Sequence, residues 1–268
     1  MTVKKWGALV AAGALAAALT LFGCSSGGEN SDSSSGSASD AGYTLINDGK
    51  LTVAASLDFP PFENLNGDVP EGFAVDLMNA LAAELDLECE YLPSTKFDTI
   101  IPLIQTGGKA DVGVSSFTVN DERLEQVDFT DTYCDVNQSI TVLKDSGVTE
   151  VSQLEGKKIG AQSGTTGYEW ASENVKDAQV VAFDEMTAVF AALQSGQIDA
   201  VAVDQPVANY YVKNAYTDCE VIVTIPTGEQ YAMAVSKDNP ELTAALNRAL
   251  QAVRDNGTYA DLEAKWLQ

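Results

Sequence analysis

The sequence contains no histidine. That one absence removes Ser-His and Cys-His nucleophile pairs, imidazole acid-base work and the commonest zinc ligand, and so argues against most enzymes. Cysteine is nearly as scarce. Of the four present, Cys24 closes an N-terminal apolar run, while Cys89, Cys134 and Cys219 form an odd set without CxxC spacing. Metal and redox motifs are absent, at most one internal disulfide can form, and buried free thiols are the expectation. Neither metal nor cofactor is expected. Positive charge is the third scarcity: 15 Lys and Arg stand against 39 Asp and Glu, a net charge of −24 at pH 7. Such a chain repels phosphate backbones and anionic lipid, which disfavours nucleic-acid binding, although the same acidity also serves as ordinary solubility charge.

Long apolar runs are confined to the N-terminus. Residues 7–22 follow Lys4-Lys5 and end in Leu21-Phe22-Gly23-Cys24, the layout of a secretory signal over residues 1–23, cut before Cys24. The run is short for a membrane span, which needs about 20 apolar residues, and no basic stop-transfer flank follows. Leu-x-Gly-Cys resembles the lipobox of bacterial lipoproteins, which implies a lipid on Cys24 and a place on the extracytoplasmic face of the cell membrane. Residues 24–42 are then a Ser/Gly-rich tether too polar to offset the entropy of ordering. Residues 43–268 are long enough for one large or two small α/β units.

Within that body, β-rich runs alternate with helical spacing. Leu51-Thr52-Val53-Ala54 precedes Leu77, Met78, Leu81 and Leu85, then Cys89-Glu90-Tyr91-Leu92, a βαβ start that predicts a parallel sheet. Leu103-Ile104-Gln105-Thr106-Gly107 leading to Asp111-Val112-Gly113-Val114 is echoed by Ala192-Leu193-Gln194-Ser195-Gly196 leading to Asp199-Ala200-Val201-Ala202-Val203. One helix-turn-strand unit thus occurs twice, which predicts two similar lobes. The extended stretches 139–145 and 232–238 are expected to cross between them. Lobe 1 would comprise 43–138 and 233–268, and lobe 2 would comprise 139–232.

Ligands of open α/β sheets sit beyond the carboxyl ends of strands, which singles out Ser115, Ser116 and Asp204. Hydroxyls suit a carboxylate and Asp204 suits an ammonium, together a zwitterion, but Asp204 could equally cap a helix ahead of Pro206. Arg123 offers a planar fork for a carboxylate; an Arg beside Glu122 and Glu125 could instead be a solvated helix residue. Gly164-Thr165-Thr166-Gly167 lacks the Lys-Ser/Thr of a phosphate loop.

Asp58-Phe59-Pro60-Pro61-Phe62-Glu63, Gly72-Phe73-Ala74-Val75-Asp76-Leu77, Ser115-Ser116-Phe117-Thr118 with Arg123, Val127-Asp128-Phe129, Gln162-Ser163-Gly164-Thr165-Thr166-Gly167, Ile198-Asp199-Ala200-Val201, Gly257-Thr258-Tyr259 and Lys265-Trp266 run through nearly the whole body. In these the chain resembles the polar-amino-acid-binding proteins of ABC importers, extracellular solute-binding proteins of family 3. The resemblance implies a two-lobed type II periplasmic-binding-protein fold with two crossing hinge strands. It implies a monomer that captures an L-amino acid and passes it to a permease and its ATPase. In that frame Arg123 clamps the α-carboxylate with help from Thr118, Ser116 and the backbone near Thr166, and Asp204 takes the α-ammonium. Phe59 and Phe97 sandwich the side chain, for which core packing is the competing reading, and Gln162 reaches it unless it is only a solvated strand end. Many relatives that bind glutamine or basic amino acids carry an acid where this chain has Ser56, so the side-chain class stays open, with Asp58 and Glu63 close by in sequence. The rival readings are a hydro-lyase of the same shape, of the cyclohexadienyl or arogenate dehydratase type, and a sensory ligand-binding subunit.

Overall fold

The computed structural model describes residues 42–268. The expected signal, Cys24 and all of the tether but Gly42 lie outside the described residues. The first half opens with β1 (Lys50–Ala54) and a small antiparallel sheet of β2 (Asp58–Phe59), β3 (Glu63–Asn66) and β4 (Val69–Glu71). It continues through α1 (Phe73–Glu84), β5 (Glu88–Tyr91), α2 (Phe97–Thr106) and β6 (Val112–Thr118). β1 pairs in parallel with both β5 and β6, as the alternation of strand and helix predicts. All seven residues of β6 are buried, the expected state of a strand covered on both faces.

A short α3 (Asp121–Gln126) and β7 (Asp128–Phe129) lead into β8 (Cys134–Leu143), the first of the two crossing strands. Past a single 3-10 turn at Val151–Leu154, the second half repeats the plan with β9 (Lys158–Gln162), α4 (Thr166–Asn174), β10 (Gln179–Phe183), α5 (Met186–Gln194) and β11 (Ala200–Asp204). β9 pairs in parallel with β10 and β11. The repeated helix-turn-strand unit of the sequence is α2–β6 in one half and α5–β11 in the other. α6 (Gln205–Asn214) then leads to β12 (Cys219–Val235), which returns the chain to the first half, where α7 (Pro240–Asp255) and α8 (Thr258–Trp266) pack on α1. Lys265 and Trp266 both donate to Asp76 of α1 at 2.7 Å. Leu242, Leu246, Leu250 and Val253 form the buried stripe of α7, each side chain worth about 1.5–3 kcal/mol when fully buried.

The strand order is β10-β9-β11-β8-β12-β6-β1-β5, with β7 also on β12. Two parallel triplets are therefore joined at the centre by the antiparallel pair β8 and β12. These crossing strands start earlier than the apolar alternation indicates, at Cys134 and Cys219 rather than at 139 and 232. The reason lies in register: β12 slips against β8 between Val221 and Val223 and again between Ile225 and Glu229. Pro226 and Gly228 fall in the second slip, so one long strand reads as disconnected pieces. Ser115 and Ser116 likewise lie within β6 and not past it. Phe117 faces Ala232 while Gly113 faces Ala234, so three residues of β6 oppose Met233 alone. This bulge holds Ser116 at φ 50°, in the left-handed region that non-glycine residues rarely occupy. The cysteines Cys89, Cys134 and Cys219 are all free, but only Cys219 is fully buried.

Gly72 begins α1 at φ 131°, and a Cβ there would sit 2.2 Å from the carbonyl oxygen of Phe62. Both the backbone angle and the close approach require glycine. Gly72→Ala is expected to destabilise the fold by about 2–3 kcal/mol through strain and overpacking. A lower urea midpoint with unchanged slope would show it, and an unaltered midpoint would refute the stated role of Gly72.

Candidate functional site

Between the two halves lies a narrow cleft lined from both sides. β6 supplies Ser115, Ser116 and Thr118, β9 ends in Gln162, α4 begins at Thr166, and β11 ends in Asp204. Phe59 comes from β2, Phe97 from the first turn of α2, and Arg123 from α3. All nine of these sequence-predicted residues line this one cleft, together with Ser56 and Thr165.

Arg123 is the central feature. α3 is short, and its start is fixed by Asn120, whose side chain accepts from the Arg123 amide at 2.9 Å. This cap turns the guanidinium inward, so that Arg123 is only 7% exposed and is no solvated surface residue. Nη1 donates to the Thr118 carbonyl at 2.7 Å and Nη2 donates across the cleft to the Gly164 carbonyl at 2.9 Å. Gly164 sits at φ 73° against Asp98, a conformation that lets its carbonyl meet the guanidinium. The Phe97 and Phe117 rings lie 5.4 and 5.7 Å from the guanidinium carbon, within cation–π range. Among the described residues Arg123 forms no ion pair, since the three salt bridges all involve lysines. A buried guanidinium bound only to neutral carbonyls retains donors and has no carboxylate in direct contact, the condition that favours an incoming carboxylate. Burial lowers its pKa, while Glu169, Asp204 and Glu229 pull it back up.

Asp204 occupies the cap position of α6 but makes no capping hydrogen bond; instead Gln138 Nε2 donates to its Oδ1 at 2.9 Å. Of the two readings left open by the sequence, the geometry selects the carboxylate turned into the cleft. Burial, and next the charge of Glu229, push its pKa up to about 7. Buried, and charged once it ionises, it suits a cation with several donors.

The other predicted residues divide by where their polar atoms point. Ser115 Oγ accepts from the Ser56 amide at 3.2 Å. Ser116 Oγ lies 2.9 and 3.0 Å from the two carboxyl oxygens of Glu63. Both hydroxyls are thus engaged with the wall of the first half. Gln162 Nε2 donates to the Asp184 carbonyl at 3.1 Å and lies 3.5 Å from Ser56 Oγ in the opposite half. Phe97 packs against Phe117 at 4.9 Å between centroids with the rings tilted by 30°, and it also lines the cleft.

Three acids escaped sequence reasoning in these roles. Glu63 is fully buried, and burial pushes its pKa up to about 8 against the opposing effect of its Ser116 hydrogen bonds. Glu229, from the crossing strand β12, accepts from Thr118 and Thr166. Asp58 reaches the other half, where the amide of Met186, first residue of α5, donates to its Oδ2 at 2.6 Å. Its tie continues through the Tyr211 hydroxyl, which donates to the Asp58 carbonyl at 2.9 Å. Only Asp58 and Glu63 carried a signal, their place in the Asp-Phe-Pro-Pro-Phe-Glu motif. Nothing local marks Glu229, because its partners lie 63 to 111 residues away.

Two parallel α/β halves joined by two crossing strands, with one polar cleft between them, define a periplasmic-binding-protein fold of type II. The sequence profile described as "Bacterial extracellular solute-binding proteins, family 3" matches residues 51–268. The chain belongs to that family. A probable histidine-binding protein of Neisseria gonorrhoeae is 33% identical, over 99% of this chain and 96% of that protein. Among solved structures, an ancestral arginine-binding protein bound to arginine superposes with a TM-score of 0.78 at 36% identity, over 84% of this chain and all of that one. The ancestral amino acid-binding protein AncCDT-1, described as a precursor of cyclohexadienyl dehydratase, gives 0.75 at 36% identity over 82% of this chain and 96% of that one.

Proposed function

We propose that this protein is the extracytoplasmic substrate-binding component of an amino-acid ABC importer, and that it captures a polar L-amino acid in the cleft and delivers it to a permease. The observation that carries this reading is the opposed pair of buried charges, Arg123 and Asp204, 7% and 6% exposed, presented to one cleft without pairing to each other. A zwitterion satisfies both at once: its carboxylate meets the guanidinium and its ammonium meets the carboxylate. Phe59, Phe97, Gln162 and Ser56 would contact the side chain, and Ser115, Ser116, Thr118 and Thr166 would shape the zwitterion end. The role is binding and not catalysis. The relative linked by name to a dehydratase is itself described as an amino acid-binding protein.

Lobe 1 (43–138 and 233–268) and lobe 2 (139–232) would open and close about β8 and β12, with ligand favouring the closed form because only that form makes both sets of contacts. The chain would act as a monomer held to the extracytoplasmic face of the membrane by a lipid on Cys24. Among the described residues no helix is long and apolar enough to cross a membrane.

Thermal unfolding of residues 43–268 against L-arginine, L-histidine, L-glutamine, L-glutamate and L-cystine tests the reading. A ligand at about 1,000 times its dissociation constant adds about 4 kcal/mol of stability. Arginine and histidine come first because the relatives above are named for them. A shift with one chemical class supports the binder; no shift with any amino acid, after unfolding and refolding to strip carried-over ligand, would refute it.

A further inference from the structure

Glu229 lies beside the cleft without being among its lining residues. Glu229 sits on β12 at the end of the register slip that separates the two halves, and it is partly exposed. A single oxygen, Oε2, accepts from Thr118 Oγ1 at 2.9 Å, from Thr166 Oγ1 at 2.8 Å and from Gln138 Nε2 at 3.1 Å. Thr118 belongs to the first half, Thr166 to the second, and Gln138 to the other crossing strand. Both threonines line the cleft.

A carboxylate oxygen accepts, so each hydroxyl bonded to Oε2 is the donor. A threonine hydroxyl has one proton and two lone pairs. With both protons committed to Glu229, Thr118 and Thr166 turn lone pairs elsewhere. Gln138 Nε2 also lies 3.1 Å from Thr166 Oγ1, but its two protons are taken by Glu229 and Asp204. The Thr118 hydroxyl, which the family resemblance enlisted beside Arg123 for a carboxylate, is held as an acceptor, and so is that of Thr166.

We propose that Glu229 is a positioning residue that fixes the polarity of the Thr118 and Thr166 hydroxyls, so that one end of the cleft presents acceptors and selects a ligand with an α-ammonium. This rests on the amino-acid reading above and deepens it. Asp204 would meet the ammonium directly, and Glu229, without touching the ligand, would aim the remaining acceptors. Thr118 and Thr166 stand in opposite halves, so the carboxylate on the crossing strand organises them jointly only when the halves are together. Gln138 contributes by donating to both acids, with Nε2 2.9 Å from Asp204 Oδ1, which holds the two carboxylates in one network despite their like charge.

The test compares each of L-arginine and L-glutamine with the α-hydroxy acid of the same side chain, by titration calorimetry, in the wild-type protein, Glu229→Met and Glu229→Gln. Methionine removes the acceptor at similar length. Glutamine keeps one acceptor oxygen. In Glu229→Met the amino acid is expected to lose about 10- to 100-fold in affinity, the scale of hydrogen bonds to a charged group, while the hydroxy acid, which can donate or accept, changes little. Preference for ammonium over hydroxyl therefore narrows, and Glu229→Gln restores much of it. Equal losses for both ligands, or no loss, would overturn the role assigned to Glu229. Failure of the wild-type protein to bind any amino acid in the panel would instead remove the reading on which it rests. Glu229→Ala repeats the comparison should methionine disturb the crossing strands.

Discussion

Arg123→Ala is expected to weaken amino-acid binding by about 2–5 kcal/mol, a loss of roughly 30- to several-thousand-fold. The magnitude follows from what the substitution leaves behind. A ligand carboxylate brought into the cleft would lose its water and find no cation, and an unpaired buried charge is far more costly than an absent one. The same reasoning gives the opposite sign for the ligand-free protein. There Arg123 is a buried charge bound to two neutral carbonyls, so its removal relieves desolvation and should leave the melting temperature unchanged or raise it. A loss of affinity without loss of stability separates a binding role from a structural one. Arg123→Lys is not expected to restore binding, because a single ammonium cannot hold the Thr118 and Gly164 carbonyls while facing a carboxylate with a planar fork. Near-normal affinity in Arg123→Ala would sink the proposed binding mode.

Asp204 provides the second large effect, and its signature is in pH. Its carboxyl is raised to about 7 in the folded protein, against about 3.9 in an unfolded chain. A carboxyl raised by folding contributes stability that is complete below the unfolded value and is lost as pH rises through the folded one. The ligand-free protein should therefore lose this contribution between about pH 4 and pH 7. Ligand binding runs the other way, because an ammonium needs the ionised form. Affinity should fall as pH drops below about 7, approaching tenfold per unit, with one proton released per ligand bound. Asp204→Asn should lower affinity by about 2–5 kcal/mol at pH 8 and flatten that acid limb. Glu63 is raised to about 8 and is hydrogen-bonded to Ser116 inside the wall, so an acid limb that persists in Asp204→Asn would belong to it. A profile independent of pH between 5 and 8 in the wild-type protein would exclude Asp204 as the ammonium partner.

The parallel triplets were legible because their inner strands β1, β6, β9 and β11 are buried on both faces and alternate with helical spacing, and the repeat of α2–β6 in α5–β11 disclosed the two halves. Asp204 was legible for a related reason: the fold places strand ends at the cleft, so it announces itself by position, whereas Gln162 came from the family resemblance. What stayed hidden depended on pairing between distant segments. The slips in β12 broke its alternation, and the bulge opposite Met233 moved Ser115 and Ser116 inside a strand. Hydroxyl direction was also beyond reach, since a threonine gives no hint of whether its proton faces the ligand or an acid 111 residues away, as at Thr118.

The reach of Asp58 to the first amide of α5 bears on how cargo is let go. A helix start gains from a nearby carboxylate, typically by 0.3–1 kcal/mol, and here the two belong to different lobes. In the hinge motion proposed above, this contact, joined by the Tyr211 hydroxyl and by the pairing of Lys96 with Asp184, would reward shutting whether or not anything is inside. Such a clasp would raise the share of empty molecules that are already shut, shortening the list of contacts a ligand must supply and lessening its say over the transition. A transporter that reads the shut shape as a sign of cargo would then meet decoys. The strength of the clasp sets a compromise between holding scarce nutrient firmly and not presenting an empty hand to the permease.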